Sequence, residues 1–275
     1  IKKLAVHECI HHLQEVKDSK GNLKKLGLCT YVGNKAYGEA LNEGSVQLIS
    51  SYLTGEKPDT VKYYDITLPT DSPSYYPLVC NLVKQIGYVS NFSTMFDSTI
   101  FANTAFYDRF ISACGEDEAY NIQQNLDKIV SYEGKIAELN NKIQTQDLPY
   151  KKFKACTDKI SNYKDKIKKT FFTTQNLIFT SFFNRETKNL LSITRIEEYR
   201  KYLYSFKNLI GLTDNYSYFN EFYIQKMNEL DARYEAIVNN KALAIVPRSK
   251  VSIFFHSIKN WFAGNANEYE RQSIK

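Results

Sequence analysis

Apolar side chains at Val6, Cys9, Ile10, Leu13 and Val16 recur with helical spacing, which predicts a helix over residues 1–17 with a wide buried face. The stretch Asp18–Asn34 carries Gly21, Gly27 and Gly33 and reads as a loop, with a short strand at Leu26–Val32. A second helix is expected from Lys35 to Leu53. Gly55 and Pro58 should stop it, because glycine accepts the left-handed terminal conformation and proline cannot continue the hydrogen-bond ladder. Pro58, Pro69, Pro73 and Pro77 mark the segment Asp59–Pro77 as an irregular connection, and helices resume at Leu78–Gly87 and Ser98–Cys114.

From Glu116 the period changes. Ile122, Ile129, Ile136 and Ile143 recur every seventh residue, supported by Leu126, Tyr132 and Leu139, the pattern of a long helix with a narrow apolar seam. Beyond Leu148 and Pro149 the residues Phe153, Cys156, Ile160, Tyr163 and Ile167 repeat the spacing. Two long helices joined by a short turn make an antiparallel hairpin over about residues 117–183. Thr194 and Glu197 have the capping-box form, predicting a helix from Arg195 to near Gly211. Another should run from Asn215 to Val238, ended by Asn239 and Asn240, and a final amphipathic helix at Val251–Ala263 carries Ile253, Phe254, Ile258 and Trp261. The expected fold is mainly α, a multi-helix globular domain with little or no β-sheet. Residues 1–115 would hold the chemistry, and residues 116–275 would form a helical region packed on it as one unit. No repeat of about 20–50 residues suggests a solenoid.

Composition adds limits. With 43% hydrophobic residues in 275, the chain can bury a sizeable core. The net charge of +6, from 36 Lys and Arg against 30 Asp and Glu, is not gathered into a stripe, so a solvated surface is expected and no nucleic-acid partner. The lysines from Lys151 to Lys169 are read the same way. Cys9, Cys29, Cys80, Cys114 and Cys156 lie far apart without a CxxC pair, which excludes a zinc ribbon and a dense disulfide framework. Their odd number leans towards a reducing, cytoplasmic setting. No run of about 18 apolar residues spans a bilayer, and no signal-peptide pattern opens the chain. The chain therefore reads as soluble. Because it opens on Ile1, close to the candidate chemistry, further sequence upstream is also expected, with room for a signal, an anchor or part of the fold.

That chemistry lies in the run HECIH, residues 7–11. At about 100° per residue, His7 and His11 point within about 40° of one another, with Glu8 on the adjacent flank. One metal ion could meet both imidazoles. A catalytic zinc takes three protein ligands and keeps a position for water, whose proton Glu8 is placed to accept. His7, His11 and His12 are three of the four histidines in the chain, a concentration that core positions normally avoid. His12 falls on another sector of the helix, supporting the site or facing solvent. For the third ligand the strongest candidate is Glu43, in the run ALNEGSVQLIS. It shares a face with Ala36, Ala40, Gln47 and Ser50, small or polar residues that would let the two helices approach. Asp59 and Asp65 are alternatives.

These residues resemble the gluzincins, thermolysin-like and related metallopeptidases that pair HExxH with a glutamate on a following helix. HECIH matches the first motif, and Asn42 with Glu43 matches the second. The resemblance implies that His7, His11 and Glu43 bind one Zn2+ ion, that Glu8 is the general base, and that Asn42 and Gln47 support them from behind. It covers the chain from His7 to Glu43 only. The intervening linker is longer than in thermolysin-like enzymes. Gln47 stands where an acidic residue often orients the first histidine, and no sheet precedes the motif helix. The metzincin pattern fails, since Gln14 and Lys17 occupy its glycine and histidine positions. The implied function is a zinc metallopeptidase that hydrolyses peptide or protein substrates through a metal-bound water activated by Glu8. The donor for the developing oxyanion is unassigned among His256, Tyr88, Tyr107 and Tyr120. The alternative is a noncatalytic protein in which zinc staples the helices and the hairpin binds a protein partner.

Overall fold

The structure, a computed structural model, describes residues 2–33, 35–187, 190, 192–210 and 217–239. The expected helix at Val251–Ala263, and His256 with it, lies outside these residues. Helix α1 (Lys2–Leu13) leads into strands β1 (Glu15–Lys17), β2 (Leu23–Leu26), β3 (Cys29–Val32) and β4 (Lys35–Tyr37), then helix α2 (Glu39–Thr54). Strands β5 (Asp59–Tyr63) and β6 (Ile66–Thr70) precede α3 (Pro77–Ser90), α4 (Phe92–Phe101) and α5 (Ala105–Cys114). The two long helices α6 (Glu116–Thr145) and α7 (Tyr150–Glu186) follow, then α8 (Ile193–Ile210) and α9 (Ser217–Val238). The protein is mainly helical, as its periodicity predicts.

The expectation of little or no β-sheet holds only in part, since the chain forms two small antiparallel sheets. Residues 15–37 form a four-stranded antiparallel meander in the order β1-β2-β3-β4, so the anticipated lone strand is part of a sheet and the expected start of the second helix is β4. These strands are three or four residues long, and β1 and β4 are exposed throughout. Only β3 alternates in burial, over four residues, too short a run for a period-two reading to find. The supposed irregular connection after Asp59 is a β5–β6 hairpin with Tyr63 opposite Ile66. Tyr64 and Asp65 form its two-residue tip, both with left-handed backbone (φ 48° and 59°), a tip more often built from Asn-Gly. Pro69 is tolerated in β6 because a two-stranded ribbon leaves each strand one unpaired edge.

The expected helix Ser98–Cys114 is two helices. Asn103 separates them: its Oδ1 accepts from Ala105 N at 3.0 Å and from Ser98 Oγ at 2.6 Å, tying the end of α4 to the start of α5. At α8 the cap is Ser192, whose Oγ accepts from Arg195 N, so the helix begins before the Thr194–Glu197 pair.

The chain divides into two compact units, Ile1–Lys188 with Phe206–Gly211, and Asn189–Ser205 with Leu212–Lys275. In the first, α3 is central and packs against α2, α4, α5 and α7. Its Leu78, Val79, Leu82, Val83 and Ile86 are fully buried. Gly44 of α2 makes close approach possible, since a Cβ there would lie 2.7 Å from Val83 Cγ2. The hairpin forms as the heptads predict. Ile122, Leu126, Ile129 and Ile136 of α6 and Cys156 and Ile167 of α7 are buried, and Tyr132 stacks on Tyr163 at 5.7 Å. In the second unit, Ile196, Tyr199 and Leu203 of α8 and Phe219, Phe222 and Leu230 of α9 are buried.

Candidate metal site

Helix α1 buries a narrower face than its apolar residues suggest. Cys9 and Leu13 are exposed, and Val16 lies beyond the helix in β1, also exposed. The covered stripe runs instead through Val6, His7, Ile10 and His11, positions that share one side of a helix, and continues to Gln14 in the turn just after it. Ile10 clusters with Val46 and Ile49 of α2, and Val6, Phe96 and Ile100 pack around them. This contact turns both imidazoles towards α2.

There they meet Glu43. His7 Nε2 lies 3.3 Å from Glu43 Oε2, His11 Nε2 lies 3.3 Å from Glu43 Oε1, and the two Nε2 atoms are 3.0 Å apart. A tetrahedral ion with ligand bonds of about 2.0–2.1 Å sets its ligands about 3.3 Å apart. The three residues form a group that could hold a metal ion, and it is the one such group among the described residues. Of the alternatives, Asp59 is exposed and Asp65 faces Lys62 at the hairpin tip. His12 is 85% exposed beside Glu15.

Each imidazole is held from behind by a glutamine. His7 Nδ1 is 3.0 Å from Gln47 Oε1, and His11 Nδ1 is 3.0 Å from Gln14 Oε1. The amide orientations follow from their neighbours. Ser72 Oγ donates to the Tyr75 carbonyl and Ser51 Oγ to the Glu56 carboxylate, groups that can only accept. Both hydroxyls are thereby left as acceptors for Gln47 Nε2, at 2.9 and 3.4 Å, and Gln47 Oε1 must face His7. On the other side, Leu28 N donates to Asn42 Oδ1. Asn42 Nδ2 then donates to Gln14 Oε1, and Gln14 Nε2 returns a bond to Asn42 Oδ1.

With both Nδ1 atoms donating, each imidazole in its neutral form would turn an Nε2 lone pair, together with the Glu43 carboxylate, towards one point. Such a triangle calls for a cation, whether proton or metal. The hydrogen bond with Glu43 lifts the His11 pKa above its ordinary value, against the opposing effect of burial. Burial pushes Glu43 up, but the hydrogen bonds that His11 and His7 give it when their Nε2 atoms carry protons outweigh it and hold the carboxyl down to about 2.

The triangle opens on a cavity of about 820 Å³. Glu8 lines it, and its charge acts on His11. Tyr63 and Tyr64 enter from the β5–β6 tip and Tyr76 from the loop before α3. Tyr76, like Tyr64, has left-handed backbone (φ 49°). Non-glycine residues with such backbone are uncommon and gather at functional sites. Burial pushes the phenols of Tyr63, Tyr64 and Tyr76 up, so they stay protonated as donors. One face of the hairpin helix α6, with Val130, Glu133, Gly134 and Ala137, also lines it.

The structure thus brings together His7, Glu8, His11, Glu43 and Gln47, with Asn42 behind them. The other proposed donors lie elsewhere. Tyr88 packs on Phe206, Tyr107 donates to the Leu28 carbonyl, and Tyr120 is 56% exposed and does not line the cavity. Gln14, Tyr63, Tyr64, Tyr76 and Glu133 were not foreseen. Only Gln14 had a readable signal, three residues after His11 on the same helical face.

Compared with known proteins, the chain matches no family model, no curated protein and no solved structure. Fold and site define a mainly helical protein with a His-His-Glu group, able to hold a metal ion, at the edge of a cavity.

Proposed function

We propose that this protein is a zinc-dependent metallopeptidase of gluzincin type. The observation that carries the reading is the convergence of His7, His11 and Glu43 at ligand spacing with Glu8 on the wall of the same cavity. Two imidazoles and a carboxylate suit zinc among the common divalent ions. When bound, zinc supplies Lewis acidity that polarises a carbonyl and makes a water easier to deprotonate. His7, His11 and Glu43 hold the ion, and Gln47 and Gln14 fix the imidazole tautomers and orientations. Glu8 takes the proton of the attacking water and delivers it to the leaving amine nitrogen. Protonated Tyr63, Tyr64 and Tyr76 are the available donors for the oxyanion.

The test is metal content of purified wild type and of Glu8→Gln, with both assayed on a mixed peptide library. Retained zinc with lost cleavage in the variant supports the reading. No cleavage by zinc-loaded wild type rejects it in favour of a noncatalytic zinc-stapled module.

A further inference from the structure

Glu133 lines the same cavity as the His-His-Glu group. It comes from α6, far along the chain, and is flanked on its helix face by Val130, Gly134 and Ala137. Its Oε1 is buried and has no hydrogen-bond partner among the described residues. Leaving a buried carboxylate oxygen unpaired is costly, so such a group is kept where something else supplies the partner. The other carboxylates of the cavity have work in the peptidase reading: Glu43 on the metal and Glu8 as base. Glu133 has none.

The cavity's charge is the reverse of the chain's. The protein carries a net +6, yet three glutamates and no Lys or Arg line this space among the described residues. No Lys or Arg among the described residues is therefore placed to neutralise Glu133. Around it stand Tyr63 and Tyr64, whose phenols feel its charge, and Tyr76, which feels both Glu133 and Glu43. Tyr76 thus lies within electrostatic reach of both carboxylates. Aromatic faces beside a carboxylate favour an ammonium or guanidinium group. Gly134 leaves room beside Glu133, since a Cβ there would meet nothing within 4 Å.

We infer that Glu133 is a specificity determinant that receives a positively charged group of the substrate, so that the cavity selects cationic peptides. The inference rests on the peptidase reading for what is done to the peptide, but not for the binding preference itself. The shared chemistry is an alkylammonium or guanidinium group, from a Lys or Arg side chain or from a free peptide N-terminus.

The test uses zinc-loaded full chain and short fluorescent alanine-glycine peptides with one lysine at each position in turn. Each is paired with its norleucine counterpart and made with free or acetylated N-terminus. Binding is followed by anisotropy in the Glu8→Gln background and hydrolysis in wild type. The expected result is a preference of about tenfold or more for one cationic form, the gain of a charge-assisted hydrogen bond. It should fall close to one in Glu133→Gln and invert towards glutamate-containing peptides in Glu133→Lys. A preference that survives acetylation assigns the charge to a side chain, and one that acetylation abolishes assigns it to the N-terminus. Either supports the proposal. Equal binding of lysine, norleucine, free and acetylated forms by the Glu8→Gln protein overturns it, as does a preference that Glu133→Gln retains. If wild type hydrolyses nothing while the Glu133-dependent binding preference is present, the peptidase reading fails and the cation site stands.

Discussion

A side-chain carbon on Gly27 would lie 2.3 Å from Asn42 Oδ1. Gly27 turns between β2 and β3 with a left-handed backbone (φ 55°), so both conformation and space require glycine. The same carbon would meet Gln14 Nε2 at 2.6 Å. A turn in the small sheet is thus fitted against the chain of amides that holds His11.

Gly27→Ala is accordingly expected to cost about 1–3 kcal/mol of stability. It should also weaken metal binding by displacing Asn42 and Gln14. Urea denaturation and a chelator competition titration would check both. Gly21→Ala serves as the comparison, because its backbone is also left-handed but its Cβ would touch nothing within 4 Å.

Gln47→Ala should leave the ligand set intact and lower zinc affinity by roughly 10- to 100-fold, the usual effect of losing the partner behind a ligating histidine. It also leaves Ser51 and Ser72 without an amide donor. Zinc affinity equal to wild type would mean that Gln47 does not position His7.

Zinc should raise the thermal midpoint. At a free metal concentration 100-fold above Kd the folded state gains about 2.7 kcal/mol, or about 5–10 °C for a unit of this size. Glu43→Ala should abolish the shift. A shift of wild-type size in that variant would remove Glu43 from the ligand set.

Burial holds the Glu133 carboxyl up to about 7, from an ordinary value of 4.5. The folded pKa is therefore above the unfolded one. Below pH 4.5 both states are protonated and the group is neutral in its effect. As pH rises towards 7 the unfolded chain ionises first, so stability falls, and it levels off above 7 after a loss of up to about 3 kcal/mol. Glu133→Gln cannot ionise and should be more stable than wild type at pH 8 and equal to it at pH 4. Parallel pH–stability curves for the two proteins would contradict this assignment.

What the sequence revealed depended on the range of the interaction. His7 and His11 converge through helix geometry alone, and the heptads of α6 and α7 are a repeat in one dimension, so both could be read directly. Glu43 was reachable because it lies on the next helix in a run of small residues, although Ala36, counted on its face, belongs to β4. The meander was hidden because its strands are too short for a period-two reading to find. The β5–β6 tip was hidden because Tyr64 and Asp65 are not the residues usually found in such a turn. Glu133 was out of reach for another reason: within α6 it looks like any solvated helix carboxylate, and only the packing of α6 against the cavity gives it a role.

The covered stripe of α1 divides its work. Val6 and Ile10 seat the helix on apolar neighbours, while His7, His11 and Gln14 lean on polar groups of α2. A helix of about three turns with so small an apolar footing has little hydrophobic reserve. A cation in the triangle would therefore act as a clasp on the opening helix, with ion affinity and helix docking expressing one equilibrium. Loosening α1 at Ile10 should release the ion almost as surely as removing an imidazole.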